Sequence, residues 1–440
     1  MLTDSSVKTP SEAELRDLAA KYSLAHRPDR SPKEAPILNK AKGSVVTDIN
    51  GKEYLDFNSG EMCAALGHNH PRIAEAVAEA AQTISNSSNT FYSVYEIMLA
   101  AKIGEMSPEP LKKSVFHGSG CESIEAAMTM AKKATEGYEI MSPHASYHGL
   151  SEVPRSVTHA GWRNKIGPFA PGSYAMFAPY CYRCPINKTF PDCKLACVDA
   201  SFELFDAEST GHQAAVITEP LFSAGGVISP PPGWMKRVEE KCDERGMLLV
   251  MDEAQTGLGK LGSTYAFQQE EGNVTPDIVA ISKHFGGGIT ISAVITSEDI
   301  EQRLRKNGYQ INHSHDADPL ACRAGIESLQ IIEDEKLGER AKEIERYFQA
   351  HLRKLADEFE TIGDVRGKGL IHGIEFVKDR GTKEPWFAVG DKLRRACLTN
   401  GLYFTLRRNG SVSRFVPPFS TTNAQLDQAA EILRDAIKAL

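Results

Sequence analysis

The stretch Pro276–Gly288, "PDIVAISKHFGGG", decides how the rest of the chain is read. Ile278 to Ser282 form a short, mostly apolar run bounded by turn signals, the pattern of a strand buried on both faces. Lys283 stands at the end of that run, and Gly286, Gly287 and Gly288 follow closely. Taken alone, such a lysine is well explained as a strand end reaching solvent on its apolar stem. The sharper reading is an amine nucleophile. Partial burial disfavours the ammonium form and frees the amine to make a Schiff base with a carbonyl. The glycines would let backbone pass close to a flat ligand.

From about residue 115, short apolar runs alternate with helical patterns. The runs are "KSVF", "YEIMSP", "AAVITEP", "GMLLVMDE", "DIVAIS" and "SAVITS". Continuous apolar strands between helices predict a parallel sheet covered on both faces. Ligands in such sheets bind beyond the carboxyl ends of the strands. The polar residues at those ends are Glu219, Asp252, Gln255 and Lys283. Upstream, "GSVVTDINGKEYLDF" reads as a hairpin around Asn50-Gly51, and Pro71 suits the first position of a helix in "NHPRIAEAVAEAAQTI". After Pro319 a single long helix is expected through "LACRAGIESLQIIEDEKLGERAKEIERYFQAHLRKLADEF". A glycine-punctuated strand region, "IGDVRGKGLIHGIEFV", a further helix, the segment "SRFVPPFS" and a final amphipathic helix follow. This predicts a large domain over residues 71–325 and a smaller one over 326–440, with the N-terminal segment 1–70 joining the smaller.

The 440 residues contain 41% hydrophobic and 25% charged residues, an ordinary globular balance with ample material for a core. Fifty Lys+Arg against 58 Asp+Glu give a formal charge of −8 with no basic block, which argues against nucleic acid as a partner. No apolar run approaches the roughly 18 residues of a membrane span. The start reads as a frayed leader and an amphipathic helix rather than a secretory signal, so the cytoplasm is the expected compartment.

Three further motifs weigh on Lys283. In "MLLVMDEAQTG", Asp252 could be a helix cap or a loop ion pair, but pyridoxal phosphate needs a carboxylate beside its ring nitrogen to act as an electron sink. Gln255 could then bond the phenolic oxygen of the ring. In "HGSGCESIEAAMTMAKKATEG", Ser119 and Glu122 form a capping-box pattern and Gly137 a plausible C-cap. A well-capped helix explains that much; the free N–H groups of Gly120 and Cys121 also make a phosphate seat. In "SYHGLS", Tyr147 could lie flat on a planar ring beside His148, although both would be unremarkable as core or loop residues.

Taken together and in this order, the motifs resemble those of the class III aminotransferases, fold-type I pyridoxal phosphate enzymes, and among them the 2,2-dialkylglycine decarboxylases. The matching segments include "LDFNSGEMCAALGHNHP", "GSGCESIEAAM", "YHG", "TEPLFSAGG", "ERGMLLVMDEAQTGLGKLG", "PDIVAISK", "HSHDADPL", "IGDVRGKGL" and "RFVPP", spanning nearly the whole chain from about residue 35. The resemblance implies an α/β fold: a large domain with a mostly parallel seven-stranded sheet covered by helices, plus a smaller α+β domain. It implies pyridoxal 5'-phosphate held on Lys283, which then moves protons on the substrate carbon. Asp252 would pair with the ring nitrogen and Gln255 with the phenolic oxygen. Tyr147 would stack on the ring, and Ser119, Gly120 and Cys121 would bind the phosphate. Ser314 would reach the phosphate of a neighbouring subunit, implying a homodimer or a dimer of dimers. Arg414 would hold a substrate carboxylate through a bidentate pair, with Glu219 near it.

The activity implied is transamination between an amino acid or amine and a 2-oxo acid. A decarboxylating variant and a carbon–carbon bond-forming variant are the alternatives. Three positions depart from the decarboxylases: Glu61 replaces a glutamine, Tyr147 a tryptophan and Ala224 a serine. All three fall where substrate binds, which implies retained cofactor chemistry and an altered substrate or reaction. A carboxylate at 61 would repel a substrate carboxylate unless protonated, or would hold a cationic or hydroxylated group of a different substrate.

Of the nine cysteines, Cys181, Cys184, Cys193 and Cys197 cluster in "YCYRCPINKTFPDCKLAC". Their spacing could bind zinc through four thiolates, but a loop insertion with reduced thiols or an incidental disulfide explains it equally, and no metal is assigned. Either way the role would be structural.

Overall fold

The computed structural model describes residues 10–24, 31–88, 90–161 and 163–440. The expected frayed leader falls largely outside them; the helix after it spans Glu12–Tyr22 and buries none of its residues. Three strands then pair antiparallel: β1 (Leu38–Lys42), β2 (Val45–Asp48) and β3 (Glu53–Asp56). The β2–β3 turn runs through Asn50-Gly51, with Gly51 at φ 84°.

Seven strands build the central sheet: β4 (Lys113–His117), β5 (Glu139–Pro143), β6 (Ser173–Met176), β7 (Gln213–Thr218), β8 (Leu248–Asp252), β9 (Ile278–Ile281) and β10 (Ser292–Thr296). Their order is β4-β10-β9-β8-β7-β5-β6. Only β10 runs against its neighbours. Alternate residues face opposite layers, as the two-residue period of a strand requires. Ile278 and Ala280 pack with Leu248, Val250 and the helix Gly120–Thr135 on one face. Val279 and Ile281 pack with Leu249, Met251 and Phe285 on the other. The seventh strand, β6, is the one the apolar pattern passes over: its residues "SYAM" lie on an edge and only Met176 is buried.

The smaller part carries β11 (Ile362–Lys368), β12 (Ile371–Asp379), β13 (Glu384–Pro385), β15 (Thr405–Arg407) and β16 (Val412–Phe415) in a five-stranded sheet. Between them β14 (Leu402–Tyr403) leaves that sheet and pairs parallel with β3, Leu402 facing Leu55. The N-terminal hairpin is thereby hydrogen-bonded to the C-terminal part.

Two expectations are corrected. The single long helix after Pro319 is two, Pro319–Asp334 and Leu337–Glu358, broken where Lys336 turns left-handed at φ 50°. The first packs on the helices Pro71–Thr83 and Val94–Met106, while the second packs on the final helix Asn423–Lys438 and on β11. Both helices bury apolar residues in the same cluster, but against different partner elements, and the chain turns between them. The first helix also runs uninterrupted through residues 325 and 326. At the end of the helix Gly120–Thr135, the left-handed cap is Glu136, at φ 59°, rather than Gly137. Gly137 answers a different demand, because a Cβ there would lie 2.5 Å from the Gln213 carbonyl oxygen.

At the β11–β12 turn, Gly369 has φ +56° and a Cβ would lie 2.1 Å from the Lys260 carbonyl oxygen; Gly211 has φ +88° and open space around it. Gly211→Ala is expected to cost about 1 kcal/mol, the left-handed penalty alone. Gly369→Ala adds a backbone collision and is expected to cost about 3 kcal/mol or more. Urea unfolding of both variants checks the contrast; equal losses would contradict it.

Candidate active site

At the carboxyl edge of the sheet lies a cavity of about 260 Å³, and the residues expected around the cofactor line it: Ser119, Gly120, Cys121, Tyr147, Asp252, Gln255 and Lys283. The register Met251–Val279 and Asp252–Ala280 between parallel β8 and β9 brings Asp252 beside the strand end that carries Lys283. That strand stops at Ile281, one residue before the expected end, and Lys283 takes a left-handed conformation, φ 59°. Such a conformation costs a lysine about 1–2 kcal/mol and persists only where its surroundings fix it. Here Phe285 N–H bonds back to the Ser282 carbonyl, and buried His284 puts Nε2 3.0 Å from the Leu258 carbonyl oxygen.

Asp252 is buried, with Oδ2 2.8 Å from His148 Nδ1 and Oδ1 accepting the Ala254 N–H at 3.0 Å. Two partners thus fix the direction of its carboxylate. Gln255 is buried on the cavity wall, and its Oε1 has no hydrogen-bond partner among the described residues. Buried amides are rarely left so. At the other end β4 delivers Ser119, which caps the helix Gly120–Thr135 by accepting the Glu122 N–H at 3.4 Å. The capping box forms only by half, because the Glu122 carboxylate takes the Ser119 hydroxyl at 3.0 Å. The first N–H groups of this helix have no intrahelical acceptor and carry its positive dipole end. Gly120 leaves the turn open, since a Cβ would press within 3.3 Å of Ser282 Oγ.

An amine, a fixed carboxylate, an unsatisfied amide and a helix N-terminus around one narrow cavity fit pyridoxal phosphate in each of its functional groups. Tyr147 completes the wall, and its backbone N–H donates to Glu219 Oε1 at 2.7 Å.

Arg414, Glu61 and Glu219 do not line this cavity; they form a second group beside it. Arg414, on β16, is 1% exposed and donates through Nε, Nη1 and Nη2 to Thr405 Oγ1, Ser223 Oγ and Asn58 Oδ1, each at 3.1 Å. All three acceptors are neutral. The carboxylate it approaches is Glu61, at 3.7 Å. Burial, then Arg407, push the Arg414 guanidinium well below its usual range. For Glu61 burial acts against ionisation, but Arg414, Arg407, Lys283 and an Asn58 hydrogen bond outweigh it and hold the carboxyl below the usual range. Glu61 therefore stands as a counter-ion rather than as a protonated acid. Glu219 is pushed far up, first by burial and then by Asp252, and has no cation within ion-pair distance among the described residues. Ser314 is exposed and lies outside the cavity of its own chain; its carbonyl accepts from Asn86 Nδ2 at 3.5 Å.

Three features escape a reading of the sequence. His148 is the partner of Asp252. Ser59, Gly60, Glu61 and Met62 are left-handed in succession, at φ 47°, 56°, 59° and 68°. Lys260, in "TGLGKLG", is fully buried, and burial, with Lys283 next, brings its amine down to about 7. An internal lysine between glycines was the available signal. The four clustered cysteines are unpaired and none lines the cavity. Burial, then its three neighbours, push the Cys197 thiol up to about 11.

Residues 28–437 match the family model of the class-III aminotransferases. The uncharacterized aminotransferase C1039.07c of Schizosaccharomyces pombe is 36% identical over 95% of this chain and 93% of its own length. The leucine/methionine racemase of Thermococcus litoralis is 34% identical over 92% of this chain and 91% of its own. The structure of an (S)-enantioselective omega-transaminase from Thermomicrobium roseum superimposes with a TM-score of 0.92 at 29% identity, covering 98% of this chain and 99% of that one. The sheet, the cavity and these likenesses agree: the chain belongs to the class III aminotransferases, pyridoxal phosphate-dependent enzymes of fold type I that act on amino acids and amines.

Proposed function

We propose that this aminotransferase takes a carboxylate-bearing amino donor and a 2-oxo acid acceptor in turn, both through Arg414. The observation that carries the reading is the state of Arg414: fully buried, bonded to three neutral oxygens and faced by a single carboxylate 3.7 Å away. A buried guanidinium held this way retains N–H groups for a planar anion. Glu61 balances it between turnovers. Its side chain is 46% exposed, so a substrate carboxylate can displace it toward water without burying a second negative charge. Repulsion between Glu61 and substrate is relieved by that exchange.

Pyridoxal phosphate, when bound, supplies the electron sink that stabilises negative charge on the substrate carbon. The chain does the rest. Asp252, oriented by His148, presents a carboxylate to the ring nitrogen. Gln255 offers its side-chain amide to the phenolic oxygen. Ser119, Gly120 and Cys121 seat the phosphate at the helix N-terminus, and Tyr147 covers the ring. Lys283 Nζ would hold the cofactor by its aldehyde carbon and, once the donor amine has displaced it there, would be free as the amine base for the proton on the donor's α-carbon. With the donor carboxylate tied to Arg414, the bond that breaks is C–H, and carbon dioxide stays on the molecule. Glu61 in place of the glutamine of the dialkylglycine decarboxylases supports this outcome over decarboxylation.

We also propose a homodimer in the cytoplasm. The segment and helix from Phe91 to Met98 expose Phe91, Tyr92, Val94, Ile97 and Met98, more apolar surface in one place than a lone subunit usually shows. Asn86, just before this patch, bonds Asp318 Oδ1 at 2.5 Å and so ties the patch to the loop that carries Ser314. A partner docking there would receive Ser314 at its phosphate. No helix among the described residues is long and apolar enough to cross a membrane.

Three measurements test these statements. Lys283→Ala is expected to lose both the visible band of lysine-bound cofactor and all turnover; a retained band would remove Lys283 from its role. Arg414→Met is expected to raise KM for amino-acid donors about a hundredfold and to affect a carboxylate-free amine much less, with no carbon dioxide released in the wild-type half-reaction. Stoichiometric carbon dioxide would reinstate the decarboxylating alternative. Sedimentation is expected to show a dimer, and Ser314→Ala to lose cofactor faster on dialysis; a fully active monomer would contradict the shared site.

A further inference from the structure

The substrate-carboxylate reading leaves one buried group without a part. Lys260 has no exposed surface, and no carboxylate lies within ion-pair distance of it among the described residues. Buried lysines are rare because an unpaired ammonium is costly to desolvate. Among the described residues its Nζ has one acceptor, the Met62 carbonyl oxygen at 3.5 Å.

Met62 ends the run of four left-handed residues that carries Glu61. L-residues avoid such a run, so it must be held from outside. Gly60 N–H donates to Asp56 Oδ2 at 2.8 Å, the Ser59 hydroxyl donates to the Val416 carbonyl, and Met62 N–H donates to the Asn58 carbonyl at 2.8 Å. On the outgoing side Ala64 N–H closes on the Ser59 carbonyl at 2.9 Å and Cys63 N–H on the Gly60 carbonyl at 3.4 Å, which leaves the Met62 carbonyl without a backbone donor among the described residues. The Met62 carbonyl is its outgoing end, and Lys260 is the donor that meets it. Lys260 is itself anchored from the other side: its carbonyl oxygen accepts the Leu370 N–H at 3.0 Å, and Gly369 packs tightly on it. The lysine therefore spans from the β11–β12 turn to the Glu61 turn.

We infer that Lys260 is a positioning residue for the substrate-carboxylate site: its buried amine holds the end of the left-handed turn and so sets where Glu61 stands relative to Arg414. The inference rests on the assignment of Glu61 and Arg414 to substrate carboxylates. An amine suits the task because it donates without needing a counter-charge. Burial, then Lys283, brings the amine down to about 7, so near neutral pH it puts less charge beside Lys283 and Arg414 than an ordinary lysine would. Lys260 does not line the cofactor cavity; it acts through Glu61.

The test is a double-mutant cycle on the full-length holoenzyme. Lys260→Met keeps the stem volume and removes the donor. It is expected to keep the cofactor's visible band, to change KM for a carboxylate donor by about tenfold, and to change kcat much less. In a Glu61→Ala background the same substitution is expected to change KM by less than about twofold, since the turn then has no carboxylate to place. Lys260→Gln, a neutral donor, is expected to restore KM to within about twofold of wild type. It also decides the matter should the Met variant not accumulate: a tenfold change in Lys260→Gln, equal to that of a missing donor, overturns the inference. So does an unchanged KM in Lys260→Met, or full additivity with Glu61→Ala. Absence of the cofactor band from the wild-type protein would instead bring down the enzyme reading as a whole.

Discussion

Asp252 and Lys283 face one cavity because β8 and β9 run parallel in a single register. Each strand rises about 3.3 Å per residue, and a slip of one position would turn the side chains of a strand to its other face. What prevents the slip is burial on both sides: every residue of β8 and β9 is inside, and the alternate residues of each strand belong to different layers. The chemistry at the sheet edge is therefore set by packing well below it. The helix cap at Ser119 and the strained backbone of Lys283 then aim the remaining groups.

The charges around the site are arranged in two compartments. In the first, a carboxylate held by an imidazole faces a lysine across the cofactor cavity. In the second, a guanidinium is buried among neutral oxygens with a half-exposed glutamate for company. Removing a buried cation from water is costly, and neutral hydrogen bonds repay it only in part. A site in that condition gains from an anion of the right shape, which is the physical basis for the proposed preference. Glu219, buried and pushed toward neutrality, adds no competing ion pair to either compartment and instead orients the backbone at Tyr147.

Much of this was legible in the sequence, for definite reasons. Buried parallel strands leave long apolar runs, so "GMLLVMDE" and "DIVAIS" announced β8 and β9 and placed Asp252 and Lys283 at their ends. The capping pattern announced the helix that starts after Ser119, at the cavity. What stayed hidden depends on contacts between distant segments. The edge strand β6 is too polar to stand out. The break at Lys336 lies between two helices that pack on different partner elements, which no local propensity records. Glu61 was read as an awkward neighbour for a substrate carboxylate; only its approach to Arg414, more than three hundred residues away in sequence, shows that it is balanced. Lys260 looks like any charged residue until the fold closes over it.

The pairing of β3 with β14 has a consequence for how the molecule is divided. Segments around residues 55 and 402 pair there, which joins the stretch leading into the Glu61 turn to the part of the chain that carries Arg414. A fragment beginning at residue 71 would retain the cavity-lining residues Ser119, Gly120, Cys121, Tyr147, Asp252, Gln255 and Lys283 and lose Asn58 and Glu61, the groups beside Arg414. The cavity and the surroundings of Arg414 thus draw on different stretches of the chain.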